Sequence, residues 1–184
     1  MPILQRHLLA CLALTLLTPI ARADDLLQSG PTTKGGGDPI AINLPKSWKE
    51  RPHDSSATLL VAGPASPDTD TTGDYTPVII IRSTPRPNSA GPINGDAQQA
   101  RVADEMTNYD ITEKPSTTSI NGLDAVTFGG TFTQGALKLR SRQYFILAND
   151  HLYSLTLITL ASTWEQHLPA LEASIRTFTL STKK

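Results

Sequence analysis

Lys138, Arg140 and Arg142 occupy alternate positions in the segment ALKLRSRQYFILA. In a β-strand a period of two puts all three side chains on one face of the sheet. Two destinations suit such a row. It can form a docking stripe for an acidic protein partner, or its guanidinium groups can pack beside an acidic helix carrying Glu172. The stripe is the candidate partner-binding site.

Four other groupings bear on chemistry. Asp68, Asp70 and Asp74 in DTDTTGD place oxygen ligands at alternating positions around a glycine bend, a pattern that suits calcium. A calcium loop starting at Asp68 needs a bidentate Glu at its twelfth position, and Ile79 stands there. A plain acidic loop is therefore favoured over a weak metal site, and calcium is the sole cofactor the sequence suggests. His53 beside Asp54 has the composition of a general base and its orienting carboxylate, but neighbours in sequence rarely face one another and no GxSxG turn presents a nucleophile. His53, His151 and His167 lack HxxxH or HExxH spacing, so a zinc site needs a tertiary coincidence. Trp48 and Trp164 read as core residues at a turn and on a helix stripe rather than as the lining of a ligand cleft. No catalytic set emerges.

The chain has 184 residues, and residues 1–23 combine a basic start at Arg6 and His7, an apolar run and the step ARA before DD. This order fits a secretory signal cleaved after Ala23. Lipidation at Cys11 is disfavoured because too little apolar sequence precedes it, and the apolar run is shorter than the roughly 20 residues that span a bilayer. Cys11 is the one cysteine, so cleavage leaves no disulfide, thiol nucleophile or cysteine metal site. It also removes Arg6 and Arg22 but no acid, leaving 14 basic against 17 acidic side chains, a net of −3. A mildly acidic domain is a poor match for nucleic acid or anionic membrane, both of which reward a basic field. The expected location is a bacterial periplasm or the cell exterior, with no stable membrane anchor after cleavage.

Residues 24–37 end in three glycines and read as a flexible lead, followed by one domain over 38–184. PIAINLP puts Ile40, Ile42 and Leu44 on one face of a strand stopped by Pro45. Thr58 to Gly63 and Pro77 to Ser83 are two further strands, the second apolar enough to be central. Long loops flank it. GDAQQARVADEMTNY is a helix capped by Asp96 with Val102, Met106 and Tyr109 as its apolar stripe. Four strands then follow, joined by short turns including Asn121-Gly122 and Asn149-Asp150. The closing helix carries a capping box at Ser162 and Glu165, runs to about Arg176, and is expected to bend or break at Pro169. Strands, helix, antiparallel meander and helix in that order give an α+β fold.

INLPKSW in the first strand, the NGL turn after the helix, and IRTFTL at the end of the last helix together resemble the Mog1/PsbP-like superfamily, especially its exported bacterial DcrB-like members. The matching positions are Pro45 with Trp48, Leu123 with Ala125, and Ile175 with Phe178. This chain has SW where the family has GW, and Gly122 precedes Leu123. The resemblance covers roughly Ile40 to Leu180 and implies an antiparallel sheet flanked by helices, in which Pro45 ends the first strand and Trp48 packs its turn onto the core. It also implies an accessory protein that binds a macromolecule without chemistry, with no shared catalytic residues to carry over. The alternatives are an immunity protein against a secreted toxin, a calcium-dependent module on the three aspartates, and a hydrolase on His53 and Asp54.

Overall fold

The computed structural model describes residues 27–33, 39–53, 55–65 and 75–180. The export segment, Cys11, Asp54 and the aspartates Asp68, Asp70 and Asp74 lie outside the described residues.

The strands are β1 (Leu27–Gln28), β2 (Thr32–Thr33), β3 (Ile40–Ala41), β4 (Leu44–Pro45), β5 (Trp48–Glu50), β6 (Thr58–Pro64), β7 (Val78–Pro85), β8 (Asp110–Ile120), β9 (Leu123–Gln134), β10 (Leu137–Ala148), β11 (His151–Leu160) and β12 (Thr179–Leu180). Helices α1 (Gly95–Glu105) and α2 (Trp164–Arg176) separate them. One antiparallel sheet of seven strands runs β5-β6-β7-β11-β10-β9-β8. This is the α+β architecture the element order implies, with β7 inside the sheet as its apolar run requires.

The meander is built by its turns. Asn121 and Gly122 have φ of 47° and 83°, and Asn149 and Asp150 have φ of 50° and 59°. Two successive positive φ values make the primed turn whose twist matches a hairpin, and Asn, Asp and Gly reach that region at least cost.

The two faces of the sheet differ in depth. On one, α2 lies over β11 and β10, and Ile79, Ile81, Leu155, Leu157, Ile146, Trp164 and Leu171 join a single buried cluster. Ile40, Ile42 and Leu44 enter the same cluster, as their alternation requires. On the other face lie two smaller clusters, one around Phe128 and Phe145 that Val102 of α1 joins and one around Phe132 and Leu139.

Four expectations need correction. The segment read as a flexible lead is paired in part: β1 bonds to β4 and β2 to β3, and the Gln28 side chain donates to the Trp48 carbonyl at 2.6 Å. The first strand is split into β3 and β4 because its two halves take different partners. Helix α1 is capped by Asn94, whose side chain accepts from the Ala97 N–H, and stops at Glu105, so Met106 and Tyr109 reach its cluster from the loop beyond. Helix α2 runs through Pro169, and its N-cap is Thr163 with no side-chain cap bond. Pro169 and Glu165 are both exposed, so the carbonyl that loses its donor faces outward, where that loss costs least.

Candidate functional site

Arg142 stands at the middle of a lateral row. Cross-strand register aligns Glu113 with Gly129, Gly129 with Arg142, and Arg142 with Leu157. Gly129 leaves a lane between the two charged residues. A Cβ built there would lie 3.2 Å from Glu113 Cδ and 2.8 Å from the Ser141 carbonyl oxygen. With the lane clear, the Glu113 carboxylate reaches across β9. Arg142 Nε donates to Glu113 Oε2 at 2.7 Å and Arg142 Nη2 to Oε1 at 2.8 Å, the bidentate fork that planar guanidinium favours. From the opposite side of the sheet, Gln99 of α1 donates to the Glu113 backbone carbonyl at 2.9 Å. This holds the irregular stretch of β8, whose register shifts on both sides of Glu113.

Helix α2 closes the network from above. Glu165 and Glu172 are seven residues apart and so share a helix face. Glu172 Oε1 accepts from Arg142 Nη1 and, at 2.5 Å, from the Tyr144 hydroxyl. Arg140 donates to Glu113 at 3.0 Å and to Glu165 at 3.3 Å, and Arg176 stands 3.8 Å from Glu172. The Trp164 ring lies under both guanidinium groups, 4.8 Å from Arg140 Cζ and 5.9 Å from Arg142 Cζ, a cation–π arrangement. Three arginines meet three glutamates, so the formal charge of the cluster is zero.

Burial alone would raise the Glu113 carboxyl, but the hydrogen bonds and charges of Arg142 and then Arg140 outweigh it and hold the group below the ordinary carboxylate value. Burial likewise opposes the Arg142 charge, and Glu113 and Glu172 overcome it, so Arg142 stays firmly protonated. The Tyr144 phenol is pushed up by burial first and by its bond to Glu172 second. Glu113 and Arg142 are thereby held in their charged forms and Tyr144 in its neutral form near neutrality, the opposite of what an acid–base catalyst requires.

A groove of about 660 Å³ opens beside this cluster, between α2 and the outer strands, lined among others by Thr118, Thr127, Arg142, Tyr144 and Glu172. Its rim is β8, the last strand of the sheet, whose outer side pairs with no strand among the described residues. Nearly all of β8 is exposed, including Ile111 at 50%. Lys114 and Pro115 interrupt it, two devices that blunt an edge against unwanted pairing. The stretch Ser116–Ile120 beyond them is uninterrupted.

Of the sequence candidates, Lys138 is exposed, whereas Arg140 and Arg142 face α2 and are bonded to glutamates of the same chain. The row shares one face, as its spacing dictates, but two of its three charges are matched internally. Glu113 and Tyr144 escaped the sequence reading. The signal for Tyr144 was its place two residues after Arg142 on one strand; nothing local marks Glu113, since its partners are 27 and 29 residues away. His53 has a buried Nδ1 with no partner, and its neighbour Asp54 lies outside the described residues. His151 Nδ1 stands 3.0 Å from the Asn149 carbonyl oxygen, and His167 is half-buried on α2. No group of three His, Cys, Asp or Glu residues that would hold a metal occurs among the described residues. Trp48 and Trp164 are both buried in the large cluster. No described helix is long and apolar enough to cross a membrane.

No family model matches the sequence, and no curated protein does either. Solved structures do match. LpqN of Mycobacterium tuberculosis, described as involved in cell envelope biogenesis, superposes with a TM-score of 0.59 at 17% identity over 86% of this chain and 94% of that one. The cyanobacterial PsbP of Synechocystis gives 0.62 at 12% identity over 91% and 99%. PA94 of Pseudomonas aeruginosa, a protein of unknown function and putative regulator, gives 0.51 at 16% identity over 86% and 98%. These likenesses are of fold, and the fold is Mog1/PsbP-like.

Proposed function

We propose that this chain, built on the Mog1/PsbP-like fold, is an exported accessory protein that binds a protein partner and performs no chemistry on it. The observation that carries the reading is the free edge of β8 running along a groove whose charges already cancel. A sheet edge offers main-chain donors and acceptors to an incoming strand, and a groove beside it offers room for alternate side chains. A neutral groove favours an extended partner segment with polar, uncharged side chains over an acidic one. Arg142 still lines the contact, as a fixed part of the wall. The envelope role described for LpqN and the export signal in the sequence support the location.

Residues Asn121 and Gly122 form a two-residue turn, so Ile120 and Leu123 close the hairpin with mutual hydrogen bonds and the pattern alternates from there. The backbone N–H groups of Thr117 and Ser119 therefore point outward, away from β9. Ser119→Pro removes one outward donor and leaves the ladder intact. The test is capture of partners from the native envelope fraction by the tagged mature protein. The expected result is one protein recovered in stoichiometric amount, reduced at least about tenfold by Ser119→Pro and retained by Lys138→Glu, with the folding of both variants checked by circular dichroism. Recovery unaffected by Ser119→Pro refutes the edge, and no recovered protein refutes the partner.

A further inference from the structure

The opposite face of the sheet holds polar groups of another kind. Beside the C-terminal end of α1, a cavity of about 150 Å³ opens onto β7, β11 and β10, lined among others by Arg82, Arg101, Glu105, Gln143, Ser154 and Thr156. Register places Arg82 opposite Ser154, and Ile80 opposite Thr156, which in turn faces Gln143. Two adjacent rows of one face therefore present a guanidinium, two hydroxyls and an amide to the same space.

Among the described residues the side chains of Arg82, Gln143, Ser154 and Thr156 make no hydrogen bond or ion pair, although Gln143 is only 4% exposed. Its amide is not a sealed orphan: the polar end opens to the cavity that Gln143 lines. Arg101 is different: it pairs with Glu105 at 3.5 Å and with Gln98 at 3.2 Å, so its charge is locally matched. Arg82 is then the uncompensated cation at this cavity among the described residues. The floor is apolar, formed by Ile80, Phe145 and Ile158.

We infer that this cavity is a binding site for a small hydroxylated carboxylate. Arg82 takes the carboxylate, for which its planar fork is suited. Ser154 and Thr156 serve as donors or acceptors to hydroxyls along the ligand body, and the Gln143 amide fixes its far end. The carbon skeleton rests on Ile80 and Phe145. A single cation with three neutral hydrogen-bonding groups selects one negative charge and several hydroxyls. The volume, well below that of a drug-sized pocket, limits the ligand to a small hydroxy acid of no more than about six carbons. The site lies across the sheet from the β8 groove, so it does not depend on the partner proposed above.

The test uses D-gluconate as probe on the full mature chain, with sorbitol as its uncharged counterpart and inorganic phosphate as an anion without a carbon body, each followed by titration calorimetry at low salt. Gluconate is expected to bind saturably. Sorbitol, phosphate and the Arg82→Gln variant with gluconate should each bind at least about tenfold more weakly, the scale of one charge-assisted contact. Thr156→Val should also weaken gluconate, and Lys49→Gln, on the exposed end strand β5, should not change it. Absence of gluconate binding, equal binding of sorbitol or phosphate, or binding insensitive to Arg82→Gln with folding intact would each overturn the assignment.

Discussion

Arg142 and Arg82 both stand on interior strands of one sheet, on opposite faces, and their surroundings diverge. Arg142 is 21% exposed and bonded to two glutamates over an indole ring. Arg82 is exposed and has no partner among the described residues. The difference follows from the helices. Helix α2 brings Glu165 and Glu172 down over β10, and Gly129 admits Glu113 from the side, so the cations of that face are absorbed into the fold. Helix α1 is shorter and covers the strands nearer β8, leaving the side chains of Arg82, Ser154 and Thr156 without partners among the described residues. A matched cluster reads as architecture, and an unmatched one reads as a place for something not yet bound.

The comparison can be broken first at Arg142. Replacing it with Met would leave the Glu113 and Glu172 carboxylates crowded together without their shared counter-charge. Removing one member of a buried pair costs more than the pair itself contributes, because the remaining charge stays desolvated. With discount for partial exposure, Arg142→Met is expected to lose about 2–3 kcal/mol in urea unfolding. A loss below 0.5 kcal/mol, the ordinary range for surface positions, would show that the cluster is not structural and would return Arg142 to the list of free docking residues.

Acid offers a finer cut through the same cluster. Glu113 has its folded value held below the unfolded one. Its contribution is therefore complete above the unfolded carboxylate value and fades as pH falls through the folded one. Wild-type stability should decline on that acid limb, whereas Glu113→Gln should lose about 1–2 kcal/mol near neutrality and show a flatter acid limb, the two chains converging at low pH. Parallel acid limbs would assign the pairing energy elsewhere.

What the sequence revealed and withheld follows the range of the interactions involved. The hairpin turns were legible because Asn121-Gly122 and Asn149-Asp150 carry their own backbone preference, and α2 because Trp164, Leu168, Leu171 and Ile175 repeat at helical spacing. The face shared by Lys138, Arg140 and Arg142 was legible from alternation. Their partners were not, because Glu113 meets Arg142 only through the pairing of three strands and the absence of a side chain at Gly129. The pairing of β1 with β4 was hidden for a related reason: Leu27 and Gln28 have no periodicity, and their strand exists only because Leu44 and Pro45 present an edge. The cavity at Arg82 is the extreme case. Arg82 ends an apolar run, Gln143 follows a run of charges, and Ser154 and Thr156 alternate with buried leucines; only the register β7-β11-β10 makes them neighbours.

The smallest effect is the most discriminating. If Arg82 serves a ligand and not the fold, Arg82→Gln should change unfolding free energy by less than about 0.5 kcal/mol, as surface substitutions away from structural features do. An exposed guanidinium with no partner among the described residues loses little when its charge goes, and Gln, though shorter than Arg, keeps part of the aliphatic stem. The comparison with Arg142→Met is then between two arginines of one sheet under one denaturant. Equal losses at both positions would mean that Arg82 has a structural partner after all, and the distinction between a closed face and an open one would fall. A near-zero loss at Arg82 beside a large one at Arg142 would leave the open face with a cation that folding does not use.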